Sequence, residues 1–162
     1  MTGTSRFNLF VDLDGVVADF DAGFPRLFGL NHKEMPEARM WEMIEGHVSY
    51  FEALDLMPDA LVMFDALRCF SPTILTACPS LGFDKACAGK RAWVARHLGE
   101  EIPVITVRGG RNKPLHMTAP GDILVDDWPR NIAAWEAAGG RGILFRSPDQ
   151  ALREVLSIAE AT

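Results

Sequence analysis

Five short apolar runs, each closed off by turn residues, constrain this chain more than any other feature. They cover residues 7–11, 73–75, 104–107, 123–125 and 142–145, the last following a Gly139-Gly140 pair suited to ending a helix. The runs are predominantly apolar rather than alternating, as parallel strands buried on both faces should be. Stretches with helical spacing separate them. Residues 59–68 place Leu61, Phe64 and Leu67 on one stripe. Residues 84–98 carry Ala86, Val94 and Leu98 among lysines and arginines expected to be exposed, and Ile132 with Trp135 marks a third helix. In the last helix Ala151, Leu152, Val155, Leu156 and Ala159 form the stripe. Ser147 caps it, with Pro148 at the first helical position and Gln150 completing a capping box. This alternation predicts an α/β fold, a doubly wound (Rossmann-like) parallel sheet of about five strands with right-handed crossovers. Ligands on such a sheet bind beyond the carboxyl ends of its strands.

One stretch breaks the alternation. Between Asp19 and Met57 lie Phe20, Phe24, Phe28, Trp41, Tyr50 and Phe51, with Met35, Met40 and Met43, and no convincing strand. It reads as a small helical cap, residues 19–57, inserted after the first strand into a core of residues 1–18 and 58–162.

At 162 residues the chain suits one domain, and 48% apolar with 23% charged residues is ordinary for a soluble globular protein. A net charge of -6 and the lack of any Lys/Arg-rich stretch argue against binding to a nucleic-acid scaffold. Cys69, Cys78 and Cys87 have neither CxxC pairing nor histidines at zinc spacing, so they read as small buried or half-buried side chains. Residues 1–6 lack an apolar signal core, and no run approaches the length of a membrane span. The expectation is a cytoplasmic protein with no membrane partner, for which a homodimer is compatible with the sequence.

The chemistry concentrates at strand ends. In Asp12-Leu13-Asp14-Gly15-Val16-Val17-Ala18-Asp19, two carboxylates two residues apart stand where an apolar run stops. Along extended backbone they point to one side and repel unless a cation or proton is shared. Mg²⁺ meets that need with one or two carboxylates plus substrate phosphate. A calcium loop is excluded because Val16, Val17 and Ala18 stand where further oxygen ligands would be required. The run 123–125 also ends in carboxylates, Asp126 and Asp127, either of which can join Asp12 and Asp14 on one ion. The run 73–75 leads into Thr76-Ala77-Cys78-Pro79, where the threonine hydroxyl and the backbone N–H groups of the turn around Ala77 can meet a phosphate oxygen. A cation for phosphate comes from Lys113, 13 residues before Asp126 on the loop after the run 104–107, or from its rival Lys90. A lone lysine on a helix, as Lys90 is, ordinarily sits in solvent.

These pieces in this order (DxDG, a hydroxyl, a lysine, an aspartate pair) resemble the haloacid dehalogenase (HAD) superfamily, over most of the chain. The closer resemblance is to 5′(3′)-deoxyribonucleotidases, carried by Asp12 to Phe20, by Tyr50-Phe51-Glu52-Ala53-Leu54-Asp55-Leu56-Met57-Pro58 and by Lys90-Arg91-Ala92-Trp93-Val94. The chain differs from that family at 76–79, at 108–114 and, apart from Trp41, over the cap residues 31–46.

The resemblance implies a Mg²⁺-dependent phosphomonoesterase acting on a small phosphorylated substrate, a nucleoside monophosphate. Asp12 would be the nucleophile and Asp14 the acid and base, its backbone carbonyl also reaching the metal. Thr76 and Lys113 would hold phosphate oxygens, and Phe20 the base, with Trp41 as a second wall. Two alternatives stay open: a HAD phosphatase for a sugar or cofactor phosphate, and a catalytically silent metal-binding module.

Overall fold

Hydrophobic side chains that alternate between two covered faces account for the centre of the molecule. The computed structural model describes residues 7–162; residues 1–6, read above as lacking an apolar signal core, lie outside the described residues. Strands β1 (Leu9–Val11), β2 (Thr73–Cys78), β3 (Val104–Arg108), β4 (Ile123–Asp126) and β5 (Arg141–Leu144) pair in parallel, in the order β3-β2-β1-β4-β5. Leu9, Val11, Ile74, Ile123, Val125 and Ile143 belong to one apolar cluster, and Phe10, Leu75, Val107 and Leu124 to another. Adjacent residues of one strand thus enter opposite clusters, as period-two geometry requires. Helices α3 (Ala60–Leu67), α4 (Phe83–His97) and α6 (Pro148–Glu160) supply the first cluster, and α5 (Pro129–Ala137) supplies Ile132 and Trp135 to the second.

The insertion between β1 and β2 is helical. It contains α1 (Phe20–Phe28) and α2 (Glu37–Gly46), with 3₁₀ turns at His32–Glu34 and Phe51–Ala53. Its two stalks run side by side: Asp19 N–H donates to the Asp55 carbonyl and Met57 N–H to that of Val17, both at 2.8 Å. The capping box is formed at Ser147, whose hydroxyl accepts from Gln150 N–H.

Several local expectations are corrected. In α3, Ala60, Met63, Phe64 and Leu67 face inward while Leu61 is exposed, because the inward face follows the four-residue steps from 60 and 63. In α6, Ala151 and Val155 are buried and Leu156, a further 100° round the helix, is exposed. Cys78 and Cys87 are buried but Cys69 is exposed. Strand β2 continues to Cys78, so Thr76 lies inside the strand rather than at its end. Lys90 is the largest departure: it is 1% exposed. It stands four residues from both Ala86 and Val94, on the buried stripe of α4. No described helix is long and apolar enough to cross a membrane.

Candidate active site

The site is built at the carboxyl ends of β1, β2 and β4. Asp12 closes β1, held to the sheet by its N–H on the Val125 carbonyl at 2.9 Å. The chain then turns sharply, with Val17 and Ala18 N–H both donating to the Leu13 carbonyl. Val16 and Val17 are fully buried and anchor the turn from below. Gly15 has φ +77°, a conformation that disfavours any side chain. A Cβ there would stand 2.1 Å from Asp127 Oδ2, so the DxDG turn and the aspartate pair touch where only glycine fits.

Lys113 is buried and bridges two strands. Its ammonium lies 2.8 Å from Asp12 Oδ1 and 2.6 Å from Asp126 Oδ2. Burial disfavours its charge, but Asp12 and Asp126 outweigh that and hold its pKa above the ordinary lysine value. Asp126 is fully buried, and its carboxylate also accepts from Trp128 N–H at 2.8 Å and from the Asn131 amide. Asp127 opens on the cleft instead.

Lys90 reaches the same floor from α4. It donates to Asp14 Oδ2 at 2.6 Å, to the Ala77 carbonyl at 2.6 Å and to Thr76 Oγ at 3.1 Å. The Thr76 hydroxyl is fully buried against this ammonium and does not line the cleft; Ala77 does. Burial lifts the Asp14 carboxyl above its ordinary range, against the pull of Lys90. Its second oxygen, Oδ1, is buried with no hydrogen-bond partner.

The donor set suits a hard divalent cation. Oxygens of Asp12, Asp126 and Asp127 lie within 4.8 Å of one another. Burial, then the charge of Asp12, push Asp126 up to about 6 and Asp127 up to about 7, the signature of carboxylates too close to ionise together uncompensated. The four carboxylates Asp12, Asp14, Asp126 and Asp127 outnumber the two ammoniums Lys90 and Lys113 by two formal charges, which one divalent cation neutralises. All the candidate ligands are oxygens, as Mg²⁺ prefers.

A cleft of about 500 Å³ opens over these groups, walled on the cap side by Phe20, His32 and Trp41. The Phe20 ring meets His32, Trp41 and Tyr50, and Trp41 donates its indole N–H to Glu37. The sequence reading missed Trp128 and Asn131, which also line the cleft. Both lie within five residues of Asp126, at the start of α5, and that proximity was the available signal. It also missed Asp122, whose buried carboxylate accepts from Asn8, Thr118 and Ala119 N–H groups and ties the foot of β4 to its neighbours.

No protein-family model matches the sequence, and no curated protein does. Solved structures match along most of the chain. A hydrolase from Streptococcus pneumoniae TIGR4 superposes with a TM-score of 0.52 at 14% identity, covering 94% of this chain and 99% of that one. A D,D-heptose 1,7-bisphosphate phosphatase from Burkholderia thailandensis gives 0.52 at 13%, with the same coverage. A putative haloacid dehalogenase-like hydrolase from Burkholderia xenovorans LB400 gives 0.50 at 15%, covering 85% and 81%. This chain shares the fold of these hydrolases. At such identities the likeness concerns the fold alone.

Proposed function

We propose that the chain is a Mg²⁺-dependent phosphomonoesterase that works through an aspartyl-phosphate on Asp12, with nucleoside monophosphates as substrates. The observation that carries this is the placing of Asp12, at the end of the central strand, 2.8 Å from a buried lysine and beside two further carboxylates on a cleft floor. The fold likeness to two hydrolases and a phosphatase supports it.

Asp12 attacks phosphorus in line, forming the Asp12 Oδ–P bond as the P–O bond to the leaving group breaks. Lys113 orients the nucleophile and draws charge from the phosphoryl oxygens. Asp14 gives its proton to the departing oxygen, a role that burial favours by keeping its carboxyl protonated further up the pH scale. The ionised Asp14 then takes a proton from water as that water attacks phosphorus, and the P–O bond to Asp12 breaks to release phosphate. Lys90, paired with Asp14, stabilises the ionised carboxylate between the two steps. Asp12, Asp126 or Asp127 and the Asp14 backbone carbonyl would hold Mg²⁺, which when bound would neutralise charge so that the anionic phosphate can approach the carboxylates. Phe20, Trp41 and Trp128 form walls suited to a flat base, which favours a nucleoside over a purely polar leaving group.

A phosphate-release screen over nucleoside and sugar monophosphates, with Mg²⁺ and in excess chelator, tests the proposal. Release from nucleoside monophosphates that depends on Mg²⁺ is expected. Full activity in chelator would refute the metal assignment, and turnover confined to sugar phosphates would refute the substrate.

A further inference from the structure

The cleft does not end at the carboxylates. The chamber above Asp12 shares Glu37, Trp41, Ala77, Trp128 and Asn131 with a second of about 760 Å³. The second shares Ser80, Gly109, Gly110, Trp128 and Asn131 with a third of about 400 Å³. The charge reverses along this path. Arg108, Arg111 and Arg130 line the third chamber, and no carboxylate does. Among the described residues none of these three has an acidic side-chain partner. Arg91, Arg96, Arg141 and Arg146 have none either, whereas Arg26, Arg39, Arg68 and Arg153 are ion-paired, so what sets the three apart is that they share one cavity. Three unpaired guanidiniums around one cavity are a marked local feature in a chain of net charge -6.

The cluster is assembled from three separate segments, and all three side chains are exposed. Arg108 ends β3, with its guanidinium 4.0 Å above the centroid of the Phe83 ring. Arg111 lies in the 3₁₀ turn Gly110–His116, and Arg130 in the first turn of α5. The turn and the helix meet at Gly110 and Asn131, so closely that a Cβ on Gly110 would stand 2.3 Å from Asn131 Oδ1. The same Asn131 donates to Asp126 at 3.1 Å. One side chain therefore sets the arginine chamber against the acidic floor.

We propose that the arginine chamber is a second anion subsite, and that the substrate carries a second phosphate group seated on Arg108, Arg111 and Arg130 while its first faces Asp12. This rests on the phosphatase reading for the first phosphate. Planar guanidinium groups match phosphate oxygens bidentately, and a dianion relieves the mutual repulsion of three cations better than a carboxylate would. Trp128, 58% exposed, stands where all three chambers meet, and Trp41 lines the first two. The group carrying both phosphates is thus the nucleoside of the reading above, with the tryptophan-lined middle chamber beside its base.

The test compares a nucleoside 3′,5′-bisphosphate with the 5′-monophosphate, and a hexose bisphosphate with its monophosphate. Each is followed by phosphate release in the wild type and by calorimetric titration in the Asp12→Asn protein. The expected result is a kcat/KM at least ~10-fold higher for one bisphosphate than for its monophosphate, with a matching preference in Kd. The triple variant Arg108→Ala/Arg111→Ala/Arg130→Ala should erase most of that ratio through KM. Arg141→Ala/Arg146→Ala/Arg153→Ala, which removes the same charge elsewhere, should retain it. Absence of any bisphosphate preference, or a preference that survives in the first triple variant, overturns the subsite. Release of phosphate from no compound would refute the phosphatase reading instead, and the calorimetric comparison would still decide the subsite. A bisphosphate preference confined to the hexose pair would keep the anion subsite and overturn the nucleoside.

Discussion

The ammonium of Lys90 lies 2.6 Å from Asp14 Oδ2, just as that of Lys113 lies 2.8 Å from Asp12 Oδ1. Each aspartate of the DxDG turn therefore has its own buried lysine, and the two lysines should fail differently when removed. Lys113 touches the proposed nucleophile and Asp126, so Lys113→Met is expected to lower kcat by ~10³-fold or more, at the upper end for loss of one charged transition-state contact. Lys90 acts on the proposed acid, so Lys90→Met should cost ~10–10²-fold, within the contribution of general acid–base catalysis. Steady-state kinetics on the best monophosphate checks the ordering; the reverse would move the phosphate contact to Lys90.

Asp12→Asn is nearly isosteric and should abolish turnover while leaving the far-ultraviolet circular dichroism spectrum unchanged. The variant also removes the charge that, after burial, most raises Asp126 and Asp127. NMR titration of metal-free protein should then show Asp127 ionising below the value of about 7 expected in the wild type. Undiminished turnover would eliminate the covalent mechanism.

Stability should depend on pH in two separate windows. Asp126 and Asp127 have folded-state pKa values raised to about 6 and about 7, so the folded protein holds protons that the unfolded chain has already lost. In chelator, stability should therefore fall as pH rises from ~4 to ~7. Mg²⁺ should reverse this, stabilising most at the alkaline end. Asp122 behaves oppositely. Burial pushes its pKa up, but hydrogen bonds from Asn8, Thr118 and Ala119 outweigh it and hold the value below the ordinary one. Its contribution is complete above the unfolded pKa of ~3.9 and is lost as pH falls below that. Thermal denaturation across pH, with and without Mg²⁺, checks both signs. Asp122→Ala should cost ~2–4 kcal/mol by stranding those buried donors.

The parts of this molecule legible in its sequence are those written in short-range pattern. Parallel strands reveal themselves because both faces of β1 and β4 are covered, and the Ser147 box because its partners lie three residues apart. The lysine contacts were harder. Lys113 owes its role to two strands that are neighbours only in space. Lys90 was legible in principle, since 86, 90 and 94 share a face, but a charged residue on a buried stripe contradicts the usual pattern unless its carboxylate is known. Thr76 was misplaced because β2 runs three residues further than its apolar core suggested, which turns the hydroxyl toward Lys90. Arg108, Arg111 and Arg130 line one chamber from the end of β3, a 3₁₀ turn and α5, a grouping in space that no local signal encodes.

The cap aromatics should separate from one another by substrate dependence. Phe20 is tied into the cap by ring contacts at 5.8 Å to His32, 6.0 Å to Trp41 and 5.6 Å to Tyr50. Removing it strips three partners at once, so Phe20→Ala should destabilise the protein and impair every substrate. Trp41 is half-buried, keeps one edge on Glu37 and lines two chambers of the cleft. Its free face is available to a base, and base–aromatic stacking contributes ~1–3 kcal/mol where it has been isolated in single-stranded nucleic-acid complexes. One to two kcal/mol of that, lost on binding, corresponds to a rise in KM of roughly 5–30-fold. Trp41→Ala should therefore raise KM for nucleoside monophosphates by about that factor, with a much smaller change for glycerol phosphate, which has no ring to stack. Kinetics on the two substrates, paired with the melting temperature of each variant, decides the matter. If Trp41→Ala impairs glycerol phosphate as much as the nucleotide, the indole only packs the cap. The nucleotide assignment then loses its main physical support, while the chemistry at Asp12 is untouched.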